Sequence, residues 1–325
     1  MKDPPFVITE KSLSMVADIC EMIGKLSAGE GMEPGLKLRR TNRIRTIYSS
    51  LAIEQNSLTL DQVTAVLSGK RVLAPPKDIE EAKNAYEIYD MLDTLDPFSA
   101  DELLRAHGVM MNRLIDEAGQ YRSRPVGVVD SEGNILHFGT LPRYVPQAVD
   151  ELLKWTEESR LHMLIKSCVF HYEFELIHPF ADGNGRIGRL WHTLLLYKWN
   201  PAFAWLPVES VIHDRQQEYY EAINRSNEAA ESTCFIEFML EAIKAAVEEA
   251  TETSIVPSSR KKADRTAKIL EHIRLHGSIT NSQVCSLMGV SSATATRILS
   301  AMQADGRIKR VRSGKSWAYI LPDEQ

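Results

Sequence analysis

Apolar residues recur at three- and four-residue spacing through most of residues 10–250, which is the period of one face of an α-helix. The clearest helical segments are residues 79–95, 100–117, 146–158, 161–176, 186–199, 215–227 and 235–251. Residues 126–138 depart from this period, because two short apolar runs flank the polar residues 130–134 there, as in a β-hairpin. An isolated hairpin is barely stable in water, so we expect it to pack on the helices. The sequence therefore predicts a mainly α-helical body that carries one hairpin.

A second, smaller domain is indicated after residue 252. Residues 253–262 lose the apolar period and contain Pro257, which predicts a linker. Helices are then expected over residues 265–276, 280–288 and 291–304, and two strands around the turn at residues 313–315. Three helices followed by a hairpin are typical of a winged helix-turn-helix. We expect a body of residues 1–252 and a winged-helix domain of residues 263–325.

The charge of the chain is divided unevenly between these two parts. Residues 257–325 hold 12 Lys and Arg against 5 Asp and Glu, although the whole chain has a net charge of -6. Nucleic acid is the usual partner of such a basic domain, although winged helices also dock proteins. The candidate DNA contacts are Ser292, Thr294, Thr296 and Arg297 on a recognition helix at residues 291–300, and Lys309, Arg310, Arg312 and Lys315 in the wing.

Two features bear on the compartment. The four cysteines are widely spaced, and we interpret them as reduced thiols rather than as disulfides or a zinc site. No apolar run reaches the ~18 residues that span a bilayer, and the first residues lack a basic segment followed by an apolar one. We therefore expect a cytoplasmic protein.

The chemistry is concentrated in residues 178–189, which read His-Pro-Phe-Ala-Asp-Gly-Asn-Gly-Arg-Ile-Gly-Arg. The helix that precedes this run must end before Pro179, since proline breaks helical geometry. His178 therefore lies at a helix end, where its ring can take a proton from a hydroxyl group. The turn formed by Gly183, Asn184 and Gly185 can direct backbone N–H groups at one anion. The next helix, expected from about residue 186, adds its positive N-terminus.

Three charged side chains complete this run. Asp182 lies beside the expected anion site, where a carboxylate typically holds Mg²⁺. Arg186 and Arg189 lie one helical turn apart, so both can reach the same anion. A base, a metal ligand and an anion cradle within twelve residues predict the transfer of a phosphoryl or nucleotidyl group.

Residues 178–189 resemble the signature of the Fic family, His-x-Phe-x-Asp-Gly-Asn-Gly-Arg-x-x-Arg, at every defined position. The resemblance covers roughly residues 10–250 and implies a helical Fic fold that uses ATP and Mg²⁺ to transfer AMP to a hydroxyl of a target protein, the chain itself included. It implies His178 as the base, Asp182 as the Mg²⁺ ligand, residues 183–185 as the phosphate nest, and Arg186 and Arg189 as phosphate clamps. The hairpin near residues 126–142 would be a flap that binds the target protein by strand addition, or a structural cover.

Two further segments resemble parts of this family. Tyr219, Tyr220 and Asn227 match the segment that lines the adenine pocket. Ser50 and Glu54 match an inhibitory helix, here near residues 45–56, whose glutamate pairs with the last arginine of the signature. A pair between Glu54 and Arg189 would withdraw the guanidinium from the γ-phosphate of ATP. Gln55 stands where glycine or asparagine is usual, which leaves the local backbone geometry open.

Alternative functions remain at this stage. The enzyme would remove AMP if Glu54 positioned water, or it would transfer another phosphate-linked group. A different class of function is a DNA-binding transcriptional regulator in which the helical body senses a nucleotide. The sequence does not decide the oligomeric state, and a homodimer is one possibility.

Overall fold

The structure is a computed structural model and describes residues 3–28, 36–129, 135–255, 258–288, 292–313 and 316–322. The chain divides into two compact units, Met1–Thr251 and Glu252–Gln325. Within the described ranges, no helix combines the length and the apolar composition needed to cross a membrane.

The first unit is built from helices. Their bounds are α1 Glu10–Ala28, α2 Leu36–Ile53, α3 Leu60–Leu67, α4 Pro76–Asp90, α5 Ala100–Met110, α6 Val145–Glu158, α7 Met163–Ile177, α8 Asn184–Trp199, α9 Val208–Asp214, α10 Gln216–Ala229 and α11 Thr233–Ile255. Helices α7 and α8 are buried on nearly all sides, as expected for helices at the centre of a bundle. The loop between them is therefore held between two rigid central elements.

The predicted hairpin is present as two antiparallel strands, β1 Gly127–Val129 and β2 Ile135–Phe138. Its predicted turn at residues 130–134 lies outside the described residues. At the base of the hairpin, the Gly139 N–H donates to the Val126 carbonyl at 3.1 Å, and the Thr140 N–H donates to the Ile177 carbonyl at 3.2 Å. The second bond fastens the hairpin to the end of α7, immediately before His178.

In the residues that the structure describes, the second unit contains three helices and a three-stranded sheet. The elements are α12 Ser258–His276, β3 Ile279–Thr280, α13 Asn281–Met288, α14 Ser292–Ala304, β4 Lys309–Ser313 and β5 Ser316–Ile320, with strand order β3-β5-β4. Thr280 and Gln283 cap α13 reciprocally, because each main-chain N–H donates to the other's side-chain oxygen. The expected fold class, a mainly α body with a hairpin and a small winged-helix domain, is confirmed. Ser291 and Lys315 lie outside the described residues.

Two boundaries differ from those predicted. The expected linker at residues 253–262 is helical over most of its length, since α11 extends to Ile255 and α12 begins at Ser258; Arg, Lys and Ala at residues 260–263 are good helix formers. The helix expected over residues 100–117 ends at Met110, and Arg113 has a φ of 61°, which no α-helix accepts. The Asn84 amide donates to the carbonyls of Met110 and Asn112 and so satisfies this helix end.

Candidate active site

His178 caps the C-terminal end of α7 in a left-handed conformation with φ 50° and ψ 62°. Pro179 prevents the helix from continuing, as expected from the sequence. The His178 ring is half-buried, with Nδ1 3.3 Å from the Glu175 carbonyl oxygen. A strained backbone persists only where its surroundings fix it, and here the surroundings are the base of the hairpin and the side chain of Arg122.

Arg122 was not expected from the sequence, since a single arginine in a loop carries no periodic signal. Its side chain is 2% exposed. The guanidinium donates to the carbonyl oxygens of His178 at 2.6 Å, Arg124 at 2.9 Å and Ile177 at 3.3 Å, and also to that of Thr140. Arg122 thus joins the main chain of His178 to the base of the hairpin.

Asp182 and Arg186 form an ion pair inside the loop and the first turn of α8. Oδ1 of Asp182 accepts from Nη2 of Arg186 at 2.9 Å and from the Gly183 N–H at 2.6 Å. Nη1 of Arg186 donates to Glu81 Oε1 at 3.0 Å, and Arg186 is only 3% exposed. Arg186 therefore orients Asp182, and the carboxylate of Glu81 on α4 offsets the positive charge of Arg186.

Glu81 is a second residue that sequence reasoning missed. It is 6% exposed and also accepts from the Asn56 amide at 2.8 Å. It lies seven residues before the buried Ile88, so it occupies the apolar face of α4. The sequence did carry one signal for Glu81, namely an acidic residue at a position where the helical period of α4 predicts an apolar one.

The loop from Asp182 to Gly185 needs its glycines for different reasons. Gly183 has a φ of 85°, and a Cβ there would overlap the Met111 side chain. A Cβ on Gly185 would overlap Glu54 Oε1. The Asn184 side chain faces away from any ligand, because it bonds both the N–H and the carbonyl of Phe180 at 2.9 Å. Only the main chain of Asn184 is therefore placed to contact an anion.

Arg189 and Glu54 pair as the resemblance implies. Nη2 of Arg189 donates to Glu54 Oε1 at 2.7 Å and to the Ser50 carbonyl at 2.9 Å, and Nε donates to Ser50 Oγ at 3.1 Å. Arg189 is 1% exposed, whereas the Glu54 side chain is 31% exposed. Burial alone would lower the pKa of Arg189, but the Glu54 carboxylate raises it, and the net shift is upward.

Gln55 adopts the backbone geometry that its position requires. Helix α2 ends at Ile53, and Gln55 follows with a φ of 63°. The Asn56 N–H returns to the Leu51 carbonyl at 3.1 Å, as in a left-handed helix cap. Glu54 therefore lies in a closed turn despite the departure at Gln55.

The adenine-pocket candidates are only partly brought together. Tyr219 is 2% exposed, and its hydroxyl lies 3.1 Å from Nε2 of the buried His171. Tyr220 is 42% exposed. Burial raises the pKa of Tyr220, and the nearby Glu54 carboxylate adds to this shift. Asn227 Oδ1 accepts from the Tyr172 hydroxyl at 2.9 Å. Tyr220 is thus the ring of this set that is open to a ligand beside Glu54.

The donor set suits Mg²⁺ that is bound together with a nucleotide. No cluster of three or more His, Cys, Asp or Glu side chains is found within the described ranges. Mg²⁺ typically uses one or two carboxylates plus substrate phosphates and water, rather than an all-protein cage. Asp182 meets that requirement, with a side chain that is 45% exposed and oriented by Arg186.

Comparisons with known proteins agree with this geometry. Residues 97–196 match the Fic/DOC family, and residues 264–309 match a winged helix-turn-helix DNA-binding family. The protein adenylyltransferase Fic-1 of Caenorhabditis elegans is 29% identical over 233 residues, which are 68% of this chain and 43% of the nematode protein. A probable protein adenylyltransferase of Aquifex aeolicus is 22% identical over 284 residues, which are 84% of this chain and 83% of that protein. The chain thus spans less than half of the length of the nematode relative.

A solved structure matches over nearly the whole length of both chains. The crystal structure of a Fic family protein from Desulfovibrio desulfuricans G20 is 41% identical, covers 99% of this chain and 99% of its own, and has a TM-score of 0.79. From this match, together with the helical fold and the complete signature at residues 178–189, the chain belongs to the Fic family.

Proposed function

We propose that the protein is an adenylyltransferase that moves AMP from ATP to a Ser, Thr or Tyr hydroxyl of a target protein and of the chain itself. The observation that carries this proposal is the loop between α7 and α8. A histidine at a helix end, a carboxylate and a helix N-terminus share this loop, and the carboxylate is oriented because Asp182 Oδ1 accepts from the Gly183 N–H at 2.6 Å. The names of the adenylyltransferase relatives support the same reaction.

In this reaction, His178 accepts the proton of the target hydroxyl. The hydroxyl oxygen forms a bond to the α-phosphorus of ATP, and the bond from phosphorus to the bridging oxygen breaks, so that pyrophosphate leaves with the electron pair. The N–H groups at the start of α8 bind phosphate oxygens and stabilise the charge that develops there. Arg122 holds the main chain of His178 in place during this step.

The metal would be held by Asp182. Bound Mg²⁺ supplies positive charge that offsets the charge of the phosphates. Asp182 is pre-oriented for this task, because Arg186 and the Gly183 N–H fix one of its oxygens.

The target segment would bind along the flap at residues 126–142. In the described part of the chain, β1 and β2 pair only with each other, so an extended peptide can add a strand through main-chain bonds. The base of the hairpin is bonded to the residue before His178, through the Thr140 N–H and the Ile177 carbonyl, so a strand added there would lie near His178.

Glu54 would restrain the activity of the enzyme. Its carboxylate occupies Arg189 and lies over Gly185, so both are blocked for the γ-phosphate. ATP then binds in an unproductive position. The same carboxylate keeps the removal of AMP open as an alternative, since it could orient water toward a bound AMP group.

Incubation with α-labelled ATP tests the proposal. We expect label on protein, with His178→Ala reducing the rate by about 10²–10⁴ while ATP binding persists. A panel of other nucleotide and choline-linked donors distinguishes AMP transfer from related transfers, and a modified target as substrate tests removal. If neither the native protein nor Glu54→Gly labels itself or lysate proteins, the proposal is wrong.

A second function, DNA binding, is supported by the wing of the C-terminal unit. Lys309, Arg310 and Arg312 on β4 are exposed, and the Arg310 guanidinium lies 4.0 Å from the centre of the exposed Trp317 ring. Arg297 is exposed on α14, the expected recognition helix, whereas Thr296 bonds the Asn281 amide at 2.8 Å.

Gel shifts with genomic fragments at two salt concentrations test this function. Affinity that falls as salt rises would indicate phosphate contacts. Arg297→Ala and Lys309→Ala should weaken binding. No shift at low salt would favour a protein-docking role for this unit.

A further inference from the structure

His107 is a buried histidine that no step above has used. It lies on α5 and is fully buried, with its ring flat against Phe180 at 3.7 Å between centroids and 3° between planes. Its two nitrogens contact two different segments of main chain. Nδ1 lies 2.9 Å from the Gly119 nitrogen, and Nε2 lies 3.0 Å from the Asp182 carbonyl oxygen.

These two contacts fix the tautomer of the ring. The Gly119 main-chain N–H can only donate, so Nδ1 must be the acceptor. Nε2 then carries the proton and donates it to the Asp182 carbonyl. An imidazolium would carry a proton on both ring nitrogens and would lose the bond from the Gly119 N–H. With both of these bonds in place, His107 is an oriented donor to the Asp182 carbonyl.

The Asp182 carbonyl belongs to the same peptide group as the Gly183 N–H. The structure has no cis peptide bond among its described residues, and in a trans peptide the C=O and N–H point in opposite directions. A carbonyl held by His107 therefore turns the Gly183 N–H to the other side of the peptide plane. There it donates to Asp182 Oδ1, so this N–H already faces a negatively charged oxygen.

We propose that His107 is a positioning residue that locks the Asp182–Gly183 peptide with its N–H, rather than its carbonyl, on the side where Asp182 Oδ1 lies and where the phosphates of the nucleotide would bind. Gly183 can adopt either orientation, because glycine tolerates positive and negative φ alike. The reversed peptide would present a carbonyl oxygen to the phosphates and repel them. The role of the ring rests on the proposed function in one respect only, namely that a phosphate group binds at the start of α8.

Two substitutions separate the two bonds of the ring. His107→Gln places an amide N–H near the position of Nε2 and keeps a donor for the Asp182 carbonyl. His107→Asn places an amide oxygen near Nδ1 and keeps only the acceptor for Gly119. Both remove the ring from Phe180, so both should lower stability to a similar extent.

His162→Asn is the matched control. His162 Nδ1 also accepts from a main-chain N–H, that of Leu164 at 3.2 Å. Its other nitrogen lies 3.5 Å from the Cys20 sulfur, and its ring packs against Trp199 rather than against the loop. This control should leave nucleotide binding unchanged.

The experiment combines calorimetry of ATP binding in the presence of Mg²⁺ with crystal structures of the two His107 variants. We expect His107→Asn to weaken ATP binding at least about tenfold and His107→Gln by less than about threefold, as for the loss of one hydrogen bond to a charged group. The Asp182–Gly183 peptide should be reversed in His107→Asn alone. Equal loss of affinity in both variants, or the same peptide orientation in both, overturns the proposal.

The outcome is separate from that of the proposed function. A native protein that binds no ATP would refute the adenylyltransferase assignment, and the peptide orientation in the two variants would still decide the role of His107. Conversely, the native protein could transfer AMP while the Asp182–Gly183 peptide keeps its orientation in His107→Asn. That result would support the adenylyltransferase assignment and refute the positioning role of His107.

Discussion

Glu54→Gly is expected to lower the stability of the fold and to raise its activity at the same time. The Glu54 carboxylate is the partner of a guanidinium that is 1% exposed, at a distance of 2.7 Å. Removal of the carboxylate leaves Arg189 with its two bonds to Ser50. The guanidinium then becomes available to the γ-phosphate of ATP.

The size of both effects follows from this contact. Breaking a fully buried ion pair costs about 3–5 kcal/mol, and breaking an exposed pair costs less than about 1 kcal/mol. Glu54 is about one-third exposed and Arg189 keeps two partners, so we expect a loss of about 1–3 kcal/mol in unfolding free energy. The transfer rate should rise at least about tenfold, which is about 1.4 kcal/mol of barrier.

Urea unfolding and incorporation of α-labelled ATP measure the two effects on the same preparations. Glu54→Gln is the control, because its amide keeps a hydrogen bond to Arg189 without the charge, and it should lie between the native protein and Glu54→Gly in both assays. Glu54→Gly that matches the native protein in label and in stability would refute the reasoning and leave Glu54 as a surface residue.

The remaining predictions concern the metal, the α2 cap, one buried carboxyl group and the division of the chain. Asp182→Ala should abolish Mg²⁺-dependent transfer; unchanged turnover would show that another group holds the metal. Gln55→Gly should raise the unfolding free energy by about 1 kcal/mol, because it relieves a positive φ, and a decrease in urea unfolding would contradict this. Burial raises the pKa of Glu175 to about 7 in the folded protein, above its value of about 4 in the unfolded chain. The free energy of unfolding is therefore highest below about pH 4, where this carboxyl is protonated in both states, and it falls as pH rises through about 7. Glu175→Gln should therefore gain stability relative to the native chain between about pH 5 and pH 8, and a difference independent of pH would argue against it. A fragment of residues 1–251 should fold and keep its activity; aggregation would show that the two units are not independent.

The sequence predicted those parts of the site that are local along the chain. His178, Asp182 and the glycine turn lie within one loop, so proline and glycine geometry alone place them. The pairing of Glu54 with Arg189 joins residues 135 positions apart, and only the family resemblance pointed to it. The hairpin was found because its period differs from that of the helices around it.

The residues that were missed share one property. Glu81 and His107 lie on helices with ordinary apolar patterns and Arg122 lies in a loop, and each acts by bonding a distant main chain or charge. Their importance lies in burial and in partners, neither of which a local pattern records. Tyr219, which the resemblance assigns to the adenine pocket, is 2% exposed and its hydroxyl lies 3.1 Å from Nε2 of His171, and its role in the pocket stays a prediction.

The central claim is that the protein transfers AMP from ATP with His178 as the base, and that Glu54 restrains this reaction. Intact-protein mass spectrometry tests this most directly, on Glu54→Gly and on the double variant Glu54→Gly/His178→Ala after incubation with ATP, Mg²⁺ and lysate proteins. The account predicts the added mass of AMP on the chain or on a lysate protein with Glu54→Gly, and none with the double variant. No added mass with Glu54→Gly, or equal added mass with both variants, would contradict it.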